Sequence, residues 1–411
     1  MSPKRTSSRL RAPLFSVAFT PHERALVDRT LRNGWVTTGA MAEELERRIC
    51  QFTGAKHGVA VSSATAGLHL ALVALGISSG DEVIVPSYTF TATASAALHA
   101  GARPVFCDIN AESLTVDPNS VARCITRKTR AVIVVDLAGA PCDYAQLAAL
   151  CRKHNLRLIC DAAHSLGASY RGRGVGVFGD ATVFSFYSTK NITTGEGGMV
   201  VTSRSSLAKH IRQLSLHGLS TPTHIRNRTG QWRYDVTMLG YKCNLSDLNA
   251  ALGVGQMDHI ETLLASRERA AERYLRNWQE INRWFLAPSV FPDSERVWHL
   301  FIARVRPRAL RVSRDRVIKE LRARGVGAGV HYIPLHQLTY FSKALGAPRV
   351  ALTVTASVAQ EVFSLPMSAT LSVRDCDRVI DALADIGARF GRVSELDSAP
   401  RKHKLAHNAR N

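Results

Sequence analysis

The chain reads as an α/β protein: a large, mainly parallel sheet covered by helices, followed by a smaller C-terminal α+β region. Three observations predict this. From residue 57 onward, short β-rich runs alternate with amphipathic helical stretches, the pattern of successive βαβ units. Three of those runs end in a carboxylate. After residue 245 the alternation gives way to long stretches rich in Ala, Leu, Arg and Glu.

The strand candidates, in order, are HGVAV (57–61), DEVIVP (81–86), ARPVFCD (102–108), RAVIVVD (130–136), LRLICD (156–161), ATVFSF (181–186) and GMVVT (198–202). Helical stretches at 66–76, 91–100, 118–125 and 143–154 separate them, and Gly80 in ISSGDE marks a turn. The carboxylates Asp108, Asp136 and Asp161 close three strands. Ligands of α/β sheets gather outside the carboxyl ends of strands, which makes all three candidates for a site. Residues 246–283 read as helices that bridge to the smaller region. There WHLFIARV (298–305) predicts a strand, Ser313 opens a helix, and 356–363 and 373–386 predict further helices around the segment GVGAGVHYIPLHQ (325–337). The expected organisation is a basic tail over 1–16, a large domain over 17–257, a small domain over 258–390 and a second basic tail over 391–411.

A balance of 45% hydrophobic and 21% charged residues is that of an ordinary globular chain of 411 residues. The net charge of +20 is not ordinary. Eight cations sit in the acid-free stretches 1–13 and 399–411, at Lys4, Arg5, Arg9, Arg11, Arg401, Lys402, Lys404 and Arg410; without them the rest of the chain still carries +12. Such a field attracts nucleic acid, acidic membranes or small polyanions alike. The tails interleave no aromatics with their cations and no nucleic-acid-binding signature is present, so they read as solvated ends. None of the eight cysteines forms a C-x-x-C pair or a zinc spacing, so no metal is expected. No apolar run reaches 18 residues and no signal-peptide core is visible, which predicts a cytoplasmic protein without a membrane span.

The segment FSFYSTKNITTGEGG (184–198) places Lys190 just past a buried strand. An imine with an aldehyde cofactor would remove the cost of burying its ammonium; a surface lysine on a glycine-rich loop is the plainer reading. Asp161 bears on the choice. A carboxylate against the ring nitrogen of pyridoxal phosphate favours the pyridinium, the electron sink of this cofactor. Its competing role is to cap a following helix. His164 could donate to the cofactor's ring oxygen or sit in the core. SSATAGLHL opens a helix whose free N–H groups at Ala64 and Thr65 would face an anion, and the same residues would make an ordinary helix cap. Ser185 could add a hydroxyl, its neighbours Phe184 and Phe186 pointing to the other face. Tyr88 and Phe90, just past a strand, offer a ring to stack on a flat cofactor, though core packing is the commoner use.

With these residues assembled, the chain resembles the DegT/DnrJ/EryC1/StrS family of sugar aminotransferases. The resemblance runs from GWVTTG (34–39) to about residue 386 through SSATAGL, GDEVIVPSYTF, GARPVFCDI, GAPCD, CDAAHSLGA, FSF…K…TTGEGG, GYKCNLSDLNAALGVGQ and GVHYIPLH. It implies the aspartate-aminotransferase-like fold, type I among pyridoxal-phosphate enzymes. It implies Lys190 as the Schiff-base lysine, Asp161 at the pyridine nitrogen and Phe90 on the ring. Ala64, Thr65 and Ser185 would hold the phosphate and His164 the ring hydroxyl. Asn244 would reach the phosphate of the neighbouring subunit of a homodimer, and His331 would lie near the substrate. The subgroup it looks most like aminates C4 of UDP-4-ketosugars with L-glutamate as donor. Two departures stand out: Asp136 where that branch tends to have histidine, and Cys160 where glutamate often precedes the aspartate. Asp136, at the ligand edge, puts the sugar in question. Rival functions are a 3-aminotransferase, a sugar dehydratase of the same fold (one class of which has histidine in place of the lysine) and a non-catalytic cofactor-binding regulator.

Overall fold

A computed structural model describes residues 10–289, 291 and 293–392. Its centre is a seven-stranded sheet in the order His57–Val61, Gly198–Thr202, Ala181–Ser185, Arg157–Asp161, Thr129–Val135, Glu82–Pro86 and Arg103–Cys107. Gly198–Thr202 runs antiparallel to both of its neighbours, and every other adjacent pair is parallel. Helices cover both faces, which is why the strands are near-continuous apolar runs. The pleat still sorts them: Val132 and Val134 join one core layer while Ala131 and Ile133 join the other.

A second, antiparallel sheet follows, built from Phe285–Leu286, Phe301–Val305 and Val362–Leu365. Trp278, Trp284, Phe285, Phe301 and Phe363 fill its core under the helices Ile260–Asn277 and Val373–Phe390. The strand expected over 298–305 starts only at Phe301. The residues before it bond elsewhere: Val297 N–H donates to Gly139 O at 3.1 Å, and Trp298 O accepts from Arg267 at 3.3 Å. The helix expected from 356 begins at Thr353, because Asp108 accepts the N–H groups of Val354 (3.0 Å) and Thr355 (2.8 Å) at its first turn. It ends at Glu361, and Val362–Leu365 is a strand where the sequence pattern predicts that the helix continues.

Polar side chains tie the large sheet to segments of the C-terminal region. Besides Asp108, Arg349 holds buried Glu82 through two bonds of 2.6 and 3.0 Å, and Ser87 Oγ bonds His336 Nδ1 at 2.7 Å. At the N-terminus, the basic tail expected over 1–16 is described only from residue 10. There Ala12 is fully buried and bridges Val326, and Phe15 reaches a cavity at the strand ends. The C-terminal tail lies outside the described residues beyond Arg392.

Candidate active site

A cavity of about 580 Å³ opens at the carboxyl ends of Arg157–Asp161 and Ala181–Ser185. Of the residues singled out in the sequence, Ala64, Thr65, Phe90, Asp161, His164, Ser185, Lys190 and His331 all line it.

Asp161 is the only one of the three strand-end carboxylates to do so. Its Oδ2 accepts from Thr93 Oγ1 at 2.8 Å, itself bonded to Thr89 Oγ1 at 3.0 Å, and its Oδ1 accepts from Ala163 N–H at 3.3 Å. A turn rather than a helix follows, so Asp161 caps nothing. Burial raises its carboxyl above the usual range, with Thr93, Ala163 and the charge of Lys190 pulling it back. Asp108, by contrast, is spent on the helix at Thr353. Asp136 sits one residue past Val135, so the pleat turns it away from the cavity that Val135 lines. It accepts from Tyr144 Oη (2.6 Å), Ser165 Oγ (2.7 Å) and Cys142 N–H (2.9 Å) and is 1% exposed. It is a strut, and the sequence-based suspicion that it shapes sugar choice is corrected accordingly. Cys160, buried on the face opposite Asp161, bonds only Phe178 O. Tyr88 is core, its hydroxyl donating to His331 O at 2.5 Å, which leaves Phe90 as the ring at the mouth, 5.7 Å from that of Tyr332.

Lys190 projects from the turn after Ser185, its N–H donating to Tyr187 O at 2.9 Å. Burial pulls its amine down to about 8, opposed by Asp161 and assisted by Arg267. The plainer reading, a surface lysine, does not survive this placement. His164 Nδ1 accepts the N–H of Ala138 at 3.2 Å, which puts the ring proton on Nε2, toward Tyr332 Oη at 3.3 Å. Burial drives this histidine well below its ordinary range, so it is neutral. His331 pairs with Ser364 Oγ at 2.8 Å and is lowered by burial to about 4.

A candidate anion cradle lies where Ser63 caps the helix Ala64–Ala74, its Oγ accepting from Ala66 N–H at 3.1 Å. The cap and the anion site are compatible: the N–H groups of the first turn have no partner within the helix and face the cavity lined by Ala64 and Thr65. Ser185 and Gly198 are paired across the strands beside it. A Cβ at Gly198 would lie 2.6 Å from Ala64 N and 2.7 Å from Ser63 C. Backbone there cannot yield cheaply. We expect Gly198→Ala to displace the cradle and weaken cofactor retention by about tenfold, the effect of roughly 1–3 kcal/mol of overpacking; a spectroscopic titration with pyridoxal phosphate checks this.

Asn244 does not line this cavity. Its Nδ2 donates to Thr38 Oγ1 at 2.6 Å and its Oδ1 accepts from Lys242 Nζ. Sequence reasoning missed Phe15, Thr93, Tyr332, Arg267 and His299. The last, 2% exposed, lies 4.3 Å from the ring of His164 and leaves Nδ1 without a partner. A buried carboxylate, a lysine held near neutrality, a neutral histidine with its N–H turned inward, an anion cradle and an orphaned nitrogen together fit a phosphorylated pyridine aldehyde.

The comparisons agree. The model of the DegT/DnrJ/EryC1/StrS aminotransferase family matches residues 18–384, and the chain belongs to that family. The spore coat polysaccharide biosynthesis protein SpsC of Bacillus subtilis is 40% identical over 362 residues, 88% of this chain and 93% of SpsC. Spr1654 of Streptococcus pneumoniae, solved in its PMP form, superposes with a TM-score of 0.86 at 34% identity over 92% of this chain and 99% of its own. DesV of S. venezuelae, solved with a ketimine intermediate, gives 0.81 at 33% identity over 90% and 95%. The fold is that of type I pyridoxal-phosphate enzymes, the cofactor is pyridoxal phosphate, and the protein is a sugar aminotransferase. Among the described residues no cluster of His, Cys, Asp or Glu could hold a metal, and no helix is long and apolar enough to cross a membrane.

Proposed function

We propose that the chain transfers the amino group of L-glutamate to C4 of a UDP-linked 4-ketosugar. The observation that carries the aminotransferase chemistry is the meeting of Lys190, Asp161 and the anion cradle in one cavity. When bound, pyridoxal phosphate supplies the electron sink and carries the amino group between the two half-reactions. The protein's own groups do the rest. Ala64, Thr65 and Ser185 would hold the phosphate, and Asp161 would keep the ring nitrogen protonated. His164, through Nε2–H, would meet the ring oxygen, and Phe90 would cover the ring. The Lys190 amine, lowered to about 8, takes the α-proton of the donor and returns it one position away. In the second half the same amine runs the shift in reverse on the sugar.

We also propose a homodimer, organised in each chain as a large domain over 17–257 and a small domain over 258–390. Trp232 (75% exposed) and Leu239 (91%) present apolar surface on the segment leading to Asn244, as an area to be covered by a second copy would. Asn244 would then reach the neighbouring cofactor's phosphate.

The C4 and UDP assignments are supported by the likeness of SSATAGLHL, KNIT and GYKCNLSD to that subgroup and by the basic body. Asp136, turned into the core, no longer argues against them. Anchored by its diphosphate, a 3-ketosugar would present its carbonyl about 1.5 Å from the productive place, a loss on the order of a hundredfold. Incubation with glutamate and UDP- or dTDP-linked 3- and 4-ketosugars, followed by product NMR, should show an amine at C4 and faster turnover of the UDP-sugar. An amine at C3, or preference for the dTDP-sugar, overturns the substrate while leaving the aminotransferase intact.

A further inference from the structure

Arg267 lies on the helix Ile260–Asn277, 4% exposed, beneath the loop that carries Lys190. Its Nη2 donates to Lys190 O at 3.2 Å and Thr189 O at 3.5 Å, and its Nη1 to Trp298 O at 3.3 Å and Met367 O at 3.5 Å. Every one of these acceptors is a neutral carbonyl, and Nε has no partner. Burying a guanidinium without a carboxylate opposes folding by several kcal/mol, and a neutral amide could serve the carbonyls without burying a charge. The charge therefore calls for a purpose beyond packing.

We propose that Arg267 is a positioning residue that fixes the backbone of Lys190 and whose unneutralised charge, buried at the root of that side chain, opposes protonation of its amine. This rests on the reading of Lys190 as the cofactor-bearing base. The charged and titratable groups around that amine are few. Asp161 faces it and favours its protonation. His164, His299 and His331 are all held neutral by burial, and Glu196 lines the cavity as well. Arg267 is the buried cation that acts against protonation, adding to the larger effect of burial. Burial lowers Arg267 itself only to about 10, so it stays charged at neutral pH. Its first-named contact, the bond to Lys190 O, places that charge at the root of the side chain it would tune.

The test follows the protonation of Lys190 directly in the full-length protein freed of cofactor. Lysines are carbon-13 methylated and observed by NMR, and the Lys190 signal is assigned by its absence in Lys190→Arg. The unmodified chain should titrate at about 8. In Arg267→Met the free-base fraction at pH 7 should fall about tenfold, as the midpoint of the titration moves to a higher pH. A Met variant that folds, melts lower and titrates as the parent does would show a merely structural arginine and overturn the proposal. Should that variant not fold, Arg267→Gln, which keeps donors for the carbonyls but not the charge, is read the same way. A third measurement needs no variant. Raising salt to about 1 M shortens the screening length to roughly 3 Å, which silences surface cations but not a buried one. The titration of the unmodified chain should not move, and a tenfold change would place the source on the surface and overturn the proposal. If instead Lys190 of the unmodified chain titrates as a surface lysine does, the underlying assignment of Lys190 fails, a result distinct from either of these.

Discussion

Lys190→Ala will lose transamination by about 10⁴-fold, the upper end of what a positioned general base contributes. The amine is the group in the cavity lowered to about 8, and no other described lysine lines that cavity. Borohydride reduction of the unmodified protein should attach the cofactor to the peptide carrying Lys190 and to no other; attachment elsewhere sinks the assignment. The same variant tests the homodimer. Mixed with Asn244→Ala and allowed to exchange subunits, it should form heterodimers with one site that is native in both residues and one that lacks both. Random pairing then restores roughly a quarter of the native activity, because half the dimers are mixed and each has one intact site. Activity equal to the average of the two parents would mean that Asn244 serves its own chain's site or none.

For Asp161→Asn the expected loss is on the order of 10²-fold, the worth of a charge-assisted hydrogen bond of about 2–3 kcal/mol made where charge develops. The asparagine oxygen can still accept from Ala163 N–H while its amide donates to Thr93 Oγ1, so the fold should suffer little; alanine would leave Ala163 N–H unpaired and Thr93 Oγ1 with Thr89 alone, a stability cost of about 1–3 kcal/mol. Release of the α-hydrogen can be read by deuterium washout from labelled glutamate without any sugar present. Washout near the parental rate in Asp161→Asn would remove the carboxylate from the ring nitrogen. The pH sign is also fixed: burial raises the Asp161 carboxyl, so acid reaches it earlier than an ordinary aspartate, and activity on the acid limb should fall with its protonation.

The parts of this site that were legible in the sequence share a physical origin. Lys190, Asp161, Ala64, Thr65 and Phe90 each stand within a few residues of a strand end or a helix start, and such junctions leave a local pattern of apolar run followed by polar turn. His299 left no such trace. WHLF reads as core strand, and only the bonds of Val297 to Gly139 and of Trp298 to Arg267 pull the segment off the sheet toward the cavity. Phe15 comes to the cavity from far upstream of Asp161, and Arg267 reaches the Lys190 loop from a neighbouring helix, both by tertiary packing that no periodicity encodes. Asp108, Asp136 and Asp161 show the converse limit. The sequence presents them as equivalent strand-end carboxylates, and only the partners supplied by Thr353–Glu361, Tyr144 and Thr93 sort two struts from the one that lines the cavity.

The polar contacts that join the C-terminal region to the large sheet and its loops also bear on how such a chain can be recombined. A crossover at residue 257, the natural seam in the sequence, would part Arg349 from Glu82, Val354 and Thr355 from Asp108, and Arg267 from the carbonyls of Thr189 and Lys190. Backbone partners travel with any chain, but a chimaera that lacks Arg349 would leave buried Glu82 without its counterpart, opposing folding by about 3–5 kcal/mol. Grafting the C-terminal region as a cassette therefore works only if its distant correspondents travel with it, and new sugar preferences are reached more readily by changing the cavity's rim than by exchanging halves.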